Sequence, residues 1–342
     1  MTAADYQMDE LQAAAGKVLA SYAGYMNTWT IELGLRMGLF EAIKEKPGIS
    51  VRDLAEALDY DQLYTMVWCN AAYSGGFLEE SDGGFVLAPH MDEILLDKAF
   101  PMWAGGTAYA MTALREHMVS FRDRFRTGER TWWDKTSVEF RESVGVSTHP
   151  FYFRLVNIAF PQMPEVHAAL QGGASVLEMA CGTCRGLGLM AKAYPTASFH
   201  AVDGDAGSLE MARAKLESGG VEGVRMTHSA LEDLTFEDEF DVVLINVSLH
   251  EARDLKKVIR NAHRALKPGG WFVVSDFPFP EKLEDLRTVP AQLMCGIQYF
   301  EALIDDQLLP TSRYVTELEE AGFQDVKTME VTPIHVVVYG RK

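Results

Sequence analysis

Residues 174–342 alternate between short apolar runs and helical segments, and this alternation constrains the fold more than any other feature. Parallel strands need long, usually helical, crossovers, so the pattern predicts a mostly parallel sheet with helices on both faces. Strands are predicted at 174–180, 198–203, 224–229, 240–247 and 271–277, with helices near 186–194, 206–218 and 254–266.

The end of the chain departs from this alternation. After a predicted helix at about 311–321 come the stretches FQDVKTMEVT and IHVVVYGRK, separated only by Pro333. One residue is too short for a helical crossover, so these two strands are expected to be antiparallel. The predicted fold class is α/β: a doubly wound, mostly parallel seven-stranded sheet with an antiparallel last strand.

Residues 10–100 show a different pattern, with apolar side chains at helical spacing. Ser50 followed by Asp53 resembles a capping box at a helix start. Two short apolar stretches then flank Asp82, which is a hairpin signal. Helices followed by a hairpin predict an N-terminal, mainly α winged-helix domain.

The region between these two parts is predicted to be helical and is rich in aromatic side chains. Core packing is one interpretation of the aromatic residues, and lining of an apolar pocket is the other. We predict a winged-helix-like domain over 1–100, a helical linker and pocket region over 101–170, and an α/β domain over 171–342.

Composition excludes several classes of protein. The formal net charge of -18 repels phosphate backbones, so no nucleic acid partner is expected. The stretch MTAADYQMDELQ lacks the pattern of a signal peptide, and no apolar run approaches the roughly 18–20 residues of a membrane span. Four cysteines in 342 residues make no disulfide scaffold, so a cytoplasmic protein without membrane partners is expected.

The stretch LEMACGTCRG, residues 177–186, has two competing interpretations. Its Cys-x-x-C suggests dithiol redox chemistry, which needs a thiolate at a helix N-terminus. As a turn between a strand and a helix it suggests nucleoside binding, and Asp203, 21 residues after Gly182, is placed to accept hydrogen bonds from ribose hydroxyls. The glycines do not form G-x-G-x-x-G, and the strand carries the acid Glu178, which favours a cationic nucleoside with an ammonium-bearing tail.

At this point the chain resembles a known family. VLEMACGTCRGLGLMAKAYPTASFHAVDGDAGSLEMARAKL, FDVVLINVSLHE and HRALKPGGWFVVSDF are similar to the motifs of class I S-adenosylmethionine-dependent methyltransferases, with their Rossmann-like domain. TIELGLRMGLFEAIKEKPGISVRDLAEAL with GGFLEE and GGFVLAP resembles the winged-helix dimerisation domain of the small-molecule O-methyltransferases. The resemblance implies S-adenosylmethionine as cofactor and a homodimer formed through the N-terminal domain.

The resemblance also implies roles for individual residues. Glu178 and Gly182 would hold the methionine end, Asp203 the ribose, and Asn246 would lie beside the sulfonium. The full implied cofactor set is Glu178, Ala180, Gly182, Asp203, Gly204, Ala230, Leu231 and Asn246. The chain departs from the family where Ala180 and Cys184 replace glycines, and where THSALEDL lacks the acid that reads adenine or displaces it to Glu232 or Asp233.

His250 and Glu251 are the catalytic candidates, in SLHEARD after the fourth strand. A histidine there can serve as general base on an acceptor hydroxyl; a structural role and a metal-ligand role, with Glu251, Asp276 and His149 as available partners, are the alternatives. No metal is predicted. The candidate substrate-pocket residues are His149, Tyr152, Met294 and Tyr299.

The predicted function is methyl transfer to a small, apolar or aromatic acceptor, with O-methylation favoured and C-methylation possible. Two alternatives stay open on the sequence alone. One keeps the fold and uses the cofactor for chemistry other than methyl transfer, and the other is a winged-helix DNA-binding protein. The apolar helices around residues 11–40 predict a homodimer.

Overall fold

A computed structural model describes residues 3–342, with side chains from residue 8 onward. The first residues of the polar N-terminus, on which the prediction about a signal peptide rests, lie outside this range. The chain forms two compact units, one ending at Ala113 and the other running from Leu114 to Lys342. The three-part division at residues 100 and 170 stays a prediction.

The first unit is mainly helical and contains the predicted hairpin. Ser50 Oγ accepts a hydrogen bond from Asp53 N and caps a helix, and Phe40 packs edge-on against Trp68 in the core, with ring centroids 5.1 Å apart. The elements are α1 (Ala3–Arg36), α2 (Leu39–Glu45), α3 (Val51–Leu58), α4 (Gln62–Ser74), β1 (Leu78–Ser81), β2 (Gly84–Leu87) and α5 (Gly105–Ala113).

The second unit contains the sheet and its helices. Its α-helices are α6 (Arg115–Thr127), α7 (Val138–Ser147), α8 (His149–Arg154), α9 (Pro164–Gln171), α10 (Arg185–Ala193), α11 (Ala206–Ser218), α12 (Leu255–Ala265), α13 (Val289–Leu303) and α14 (Thr311–Glu320). Its strands are β3 (Ser175–Met179), β4 (Ser198–Asp203), β5 (Arg225–His228), β6 (Phe240–Asn246), β7 (Leu266–Asp276), β8 (Gln324–Thr332) and β9 (His335–Arg341).

The seven strands have the order β5-β4-β3-β6-β7-β9-β8. Strands β3 to β7 are parallel, and β9 is antiparallel to both neighbours, β7 and β8. The predicted fold class is confirmed. The last strand lies between β7 and β8, and β7 begins at Leu266, five residues before its predicted start.

Alternate residues of the strands face two separate cores, as expected for a sheet covered on both sides. Val242 and Leu244 pack with α10 and α11, whereas Val243 and Ile245 pack with α12 and α14. From β3 the chain moves to one side of the sheet through β4 and β5, and then returns to the other side of β3 with β6. The strand order therefore reverses beside β3. Ligands of such sheets bind outside the carboxyl ends of the strands at this reversal. Among the described residues, no helix is both long and apolar enough to span a membrane.

Candidate functional site

A cavity of about 480 Å³ opens at the carboxyl ends of β3, β4 and β6. Its walls also include residues of α7, Tyr152 of α8 and the consecutive residues Trp132 and Trp133. Of the predicted cofactor residues, Glu178 lies behind the wall, and those that line the cavity are Ala180, Gly182, Asp203, Gly204, Ala230, Leu231 and Asn246.

The turn after β3 adopts left-handed backbone at alternate residues. Ala180, Gly182 and Cys184 have φ of 53°, 52° and 53°. In residues other than glycine this conformation is less stable than the right-handed one by roughly 1–2 kcal/mol. Ala180 and Cys184 therefore occupy the two positions at which glycine would be unstrained.

Ala180→Gly is expected to stabilise the protein by roughly 1 kcal/mol, because it removes left-handed strain from a half-buried methyl-bearing residue. Ala191→Gly, within the regular helix α10, is the matched control and should destabilise by about 0.5–1 kcal/mol. Urea denaturation of both variants measures the change in the free energy of unfolding, which should be positive for Ala180→Gly and negative for Ala191→Gly. A destabilised Ala180→Gly would show that the methyl group contributes more packing than the backbone loses in strain.

Asp203, the last residue of β4, holds the turn together. Its Oδ2 accepts a hydrogen bond from Gly182 N at 2.7 Å, and its Oδ1 accepts one from Asp205 N at 2.8 Å. Each carboxylate oxygen keeps a further lone pair for a hydroxyl of a ligand. Burial raises the pKa of Asp203 above its ordinary value, while the two backbone donors oppose that rise.

Glu178 is fully buried beneath Tyr152. The Tyr152 hydroxyl donates to Glu178 Oε1 at 2.5 Å, and Oε2 accepts no hydrogen bond within the described part of the chain. Burial raises the pKa of Glu178 to about 8. A methyl group at Gly186 would lie 1.9–2.1 Å from the Tyr152 ring, so only glycine at 186 lets this ring lie on the start of α10.

Glu178 is expected to make folding pH-dependent. In the folded protein the Glu178 carboxyl keeps its proton up to about pH 8, its raised pKa. In the unfolded chain the same carboxyl loses the proton near its ordinary pKa of 4.5. The stabilisation is therefore complete below about pH 4.5 and is lost as the pH rises through 8. Glu178→Gln mimics the protonated acid, and should flatten the decline of Tm between pH 6 and 8 in differential scanning fluorimetry. An unchanged slope would assign the decline to other groups.

The two cysteines of the turn are buried in the core and are free thiols. Hydrogen bonding to Cys184 together with burial raises the pKa of Cys181 well above its ordinary value. A thiol of high pKa is a poor nucleophile for dithiol exchange. The geometry therefore does not favour the redox interpretation of Cys-x-x-C.

Two further features complete the predicted cofactor end of the cavity. Glu232 lines the cavity beside Ala230 and Leu231, whereas Asp233 does not. Asn246 Oδ1 accepts a hydrogen bond from Ser275 Oγ, while its Nδ2 is buried without a hydrogen-bond partner among the described residues. Such an unpaired donor at a cavity wall is free to serve a ligand.

His250 lies between two carboxylates. Its Nδ1 is 3.0 Å from both Asp276 carboxylate oxygens, and its Nε2 is 3.5 Å from Glu301 Oε2. Burial alone would lower the pKa of His250, but the charges of Asp276 and Glu301 outweigh it and raise the pKa well above its ordinary value. The imidazole is therefore held protonated.

Glu251 presents a carboxyl group to the cavity at the ends of β3, β4 and β6. It lines that cavity with Trp133, whose Nε1 donates to Glu251 Oε2 at 3.0 Å. His250 lines a second cavity of about 510 Å³ instead, together with Asp306. Burial raises the pKa of Glu251 to about 8, so its carboxyl group takes up and releases a proton near neutral pH.

Ligand atoms of His250, Glu251 and Glu301 lie within 4.8 Å of one another, a spacing that suits a metal ion. Glu251 and Asp276 were the partners available to His250 in the sequence, and both lie beside it. Glu301, on α13, is a partner that the sequence did not single out, because its distance along the chain hides the contact. His149 lies outside this group.

The predicted substrate-pocket residues do not converge. Tyr152 lines the cofactor cavity, but Met294 is buried in a separate apolar cluster and Tyr299 packs edge-on against Phe121. His149 is also outside the wall. The cavity residues that sequence reasoning missed include Trp132, Trp133, Arg141, Thr183 and Arg253, and the aromatic-rich composition of 101–170 was the signal for the two tryptophans.

Comparisons with known proteins agree with this geometry. Residues 170–322 match the family described as a methyltransferase domain. The chain is 34% identical over 172 residues to an uncharacterized methyltransferase of Synechocystis sp. This match covers 49% of this chain and 75% of that protein. A demethylmenaquinone methyltransferase of Listeria welshimeri is 31% identical over 113 residues, 32% of this chain and 48% of that protein.

The fold of the whole chain also has solved counterparts. Human N-acetylserotonin methyltransferase in complex with S-adenosylmethionine superposes with a TM-score of 0.66 at 17% identity, covering 96% of this chain and 97% of that one. An O-methyltransferase family protein from Burkholderia thailandensis gives 0.67 at 16% identity, covering 96% and 98%. The chain therefore belongs to the methyltransferase family. Its fold is that of the class I S-adenosylmethionine-dependent enzymes, with an N-terminal helical domain.

Proposed function

We propose that this protein transfers the methyl group of S-adenosylmethionine to a hydroxyl group of a small apolar or aromatic acceptor. One observation carries the proposal. A single cavity joins the cofactor turn and Asp203 at one end to Glu251 and two tryptophans at the other. Trp132 and Trp133 offer flat apolar surface, which favours a planar acceptor.

The residues present fit the cofactor. When bound, S-adenosylmethionine supplies an electrophilic methyl group on a sulfonium. Asp203 would accept hydrogen bonds from the ribose hydroxyls, and Gly182 and Gly204 would allow close approach of the backbone. Glu178, with one unpaired buried oxygen, would lie at the methionine end, while Ala230 and Leu231 would flank the adenine.

We assign the general-base role, first predicted for His250, to the pair of His250 and Glu251. Glu251 faces the cavity and would take the proton of the acceptor hydroxyl, while the imidazolium of His250 behind it would stabilise the cluster of carboxylates. The walls would hold the acceptor in line with the methyl group, and this orientation supplies most of the rate.

Calorimetry with S-adenosylmethionine and S-adenosylhomocysteine tests the cofactor, and no heat with either would contradict the proposal. A panel of phenols and hydroxylated heteroaromatics, assayed by mass spectrometry, tests the reaction. The expected product gains one methyl group, and Glu251→Gln should slow its formation about 100-fold or more. Turnover without a gain of methyl would instead support the alternative of non-methyl-transfer chemistry.

Carbon methylation assisted by a divalent cation is a second candidate, favoured by the spacing of His250, Glu251 and Glu301. One histidine with two carboxylates resembles the donor sets that hold manganese or iron. Titration of the protein with Mn²⁺, followed by electron paramagnetic resonance, tests it. Binding that Glu301→Gln removes would support the metal, and absence of binding would contradict metal-assisted carbon methylation.

We also propose that the N-terminal unit pairs two copies of the chain in the cytoplasm. Helices α1 and α4 expose many large apolar side chains, more than a monomer normally leaves in water. They include Leu11, Val18, Leu19, Tyr22, Tyr25, Met26, Leu63, Tyr64 and Val67. Analytical ultracentrifugation should give a dimer at micromolar concentration, and a monomer would contradict this.

Because the net charge is -18, a gel shift at low salt should show no DNA binding by this winged-helix-like unit.

A further inference from the structure

A chain of hydrogen bonds runs through the interior to the wall of the cavity at the ends of β3, β4 and β6. Arg154 Nε donates to His335 Nδ1 at 3.1 Å, and His335 Nε2 lies 2.8 Å from Ser275 Oγ. Ser275 Oγ in turn donates to Asn246 Oδ1 at 2.5 Å. All four side chains are buried, and Asn246 is the member of the chain that lines the cavity. The chain therefore ends at a residue that a ligand can contact.

The chemistry of Arg154 gives this chain a direction. A guanidinium N–H donates and never accepts, so His335 Nδ1 carries no hydrogen. The neutral ring then carries its hydrogen on Nε2 and donates it to Ser275 Oγ. Burial, followed by the charge of Arg154, lowers the pKa of His335 well below its ordinary value, which agrees with a neutral ring.

The same direction fixes the orientation of the Asn246 amide. Ser275 is fully buried, and Asn246 Oδ1 accepts the hydrogen of its hydroxyl group. An amide whose oxygen is held in this way offers its Nδ2 to another partner. That nitrogen is buried without a hydrogen-bond partner among the described residues. Because Asn246 lines the cavity, a bound ligand is the group that can supply the missing acceptor.

We propose that this chain positions Asn246 to donate a hydrogen bond to the methyl acceptor, at an oxygen next to the hydroxyl that is methylated. Arg154, His335 and Ser275 are then positioning residues, which act on the ligand through Asn246. The inference rests on the proposed function, which places the acceptor in this cavity.

The position and the chemistry of the amide favour such an oxygen over the other groups near it. Asn246 ends β6, and Glu251 follows in the short turn Leu249–Glu251, so both lie at the same end of the strand and both line the cavity. An N–H donor is not attracted to a sulfonium cation. On the attacking oxygen it would draw electron density away from the bond that forms. A hydroxyl, carbonyl or ether oxygen beside the attacking one accepts the hydrogen bond without this cost.

The direction of the chain can be measured in the ligand-free protein by nitrogen-15 nuclear magnetic resonance. Histidine-selective labelling reports which ring nitrogen carries a hydrogen, and His335→Gln identifies the signal of His335 by its loss. The expected result at pH 7 is a neutral ring with its hydrogen on Nε2. A hydrogen on Nδ1, or on both nitrogens, would overturn the proposal whatever reaction the protein catalyses.

A matched pair of phenols tests the contact with the acceptor. 2-Methoxyphenol carries an ether oxygen beside its hydroxyl, and 2-ethylphenol has a methylene group at the same place. Both are measured as inhibitors of methyl transfer to the best phenol of the panel. The inhibition constant of 2-methoxyphenol should be about 3- to 10-fold lower, the effect of one neutral hydrogen bond. Equal inhibition, or inhibition by neither phenol, would overturn the proposal.

Three variants assign this preference to the chain. Asn246→Leu removes the donor and should bring the two inhibition constants within about twofold. His335→Asn keeps an acceptor for Arg154 but is too short to reach Ser275, and should lose the preference in the same way. His335→Gln is the matched rescue, because its longer side chain can donate to Ser275, and it should keep a preference of about threefold or more. A purely structural role of His335 would lower the melting temperature of both His335 variants and leave the preference intact in both, which would contradict the proposal.

The outcomes separate this inference from the proposed function. S-adenosylhomocysteine should bind the wild type and both His335 variants with Kd values within about twofold of one another, because the chain leads to the acceptor. A clearly weaker Kd in His335→Asn would assign the amide to the cofactor and overturn the inference. If the wild type binds this ligand but methylates no phenol, the proposed function fails and the contact with the acceptor fails with it. If phenols are methylated and the two probes inhibit equally, the proposed function stands and the inference is overturned.

Discussion

Asp203→Ala is expected to raise the Kd for S-adenosylmethionine by about 100-fold or more. The variant would lack the two charge-assisted hydrogen bonds that the Asp203 carboxylate accepts from the ribose hydroxyls. Each is worth roughly 1.5–3 kcal/mol, and every 1.4 kcal/mol is about tenfold in affinity. It would also release Gly182 N and Asp205 N, the two backbone donors that it holds at 2.7 and 2.8 Å. Isothermal titration calorimetry measures the change.

Asp233→Asn provides the matched control for this substitution. It removes the same charge from a side chain that is 74% exposed and lies outside the cavity. Its Kd should stay within about twofold of the wild type, since long-range effects of one exposed charge are largely screened. A thermal melt of Asp203→Ala separates loss of binding from loss of fold. If Asp203→Ala binds the cofactor as tightly as the control does, the ribose assignment is wrong.

Gly186→Ala is expected to destabilise the protein by about 3 kcal/mol and to weaken cofactor binding. The new methyl group would lie 1.9–2.1 Å from three atoms of the Tyr152 ring, and this ring belongs to a packed core in which it has little room to move. Displacing the ring would break the hydrogen bond from the Tyr152 hydroxyl to Glu178. Urea denaturation and calorimetry measure the two effects.

Gly188→Ala, two residues further along α10, should act in the opposite direction. Its methyl group would meet only Leu216 Cδ2 at 3.8 Å, an ordinary contact, and alanine favours a helix interior by about 0.5–1 kcal/mol over glycine. In a Tyr152→Ala background the cost of Gly186→Ala should nearly vanish, because the clash has lost its partner. A cost that persists there would place the strain in the backbone and not in the ring.

The local patterns of the sequence predicted most of the fold because they involve neighbouring residues. The period of the apolar residues indicated which segments become strands and which become helices, and Pro333 between the last two strands required them to be antiparallel. The acid at the end of β4 was recognisable from its distance to Gly182. What the pattern could not give was the insertion of β9 between β7 and β8, since strand order depends on pairing between distant segments.

The surroundings of His250 and Glu251 were less predictable. His250 and Glu251 are adjacent in sequence, but only the tertiary structure shows that Glu251 lines the cavity at the ends of β3, β4 and β6, whereas His250 lines the second cavity. Glu301 lies 51 residues after His250 in the sequence and approaches it because α13 returns to the carboxyl end of the sheet. Met294 and Tyr299, which were predicted to line the pocket, belong to the same helix but contact other groups. The spacing of apolar residues along α13 did not indicate which face of the helix points toward His250.

By itself the sequence therefore determined the type of each element, the parallel sheet and the turn after β3, because these depend on backbone propensities and on spacing along the chain. The tertiary structure decided which charges are buried together. Burial makes Glu178 and Glu251 weak acids and keeps His250 protonated, and the cost of placing a charge in a poorly hydrated interior depends on neighbours that only folding brings into contact.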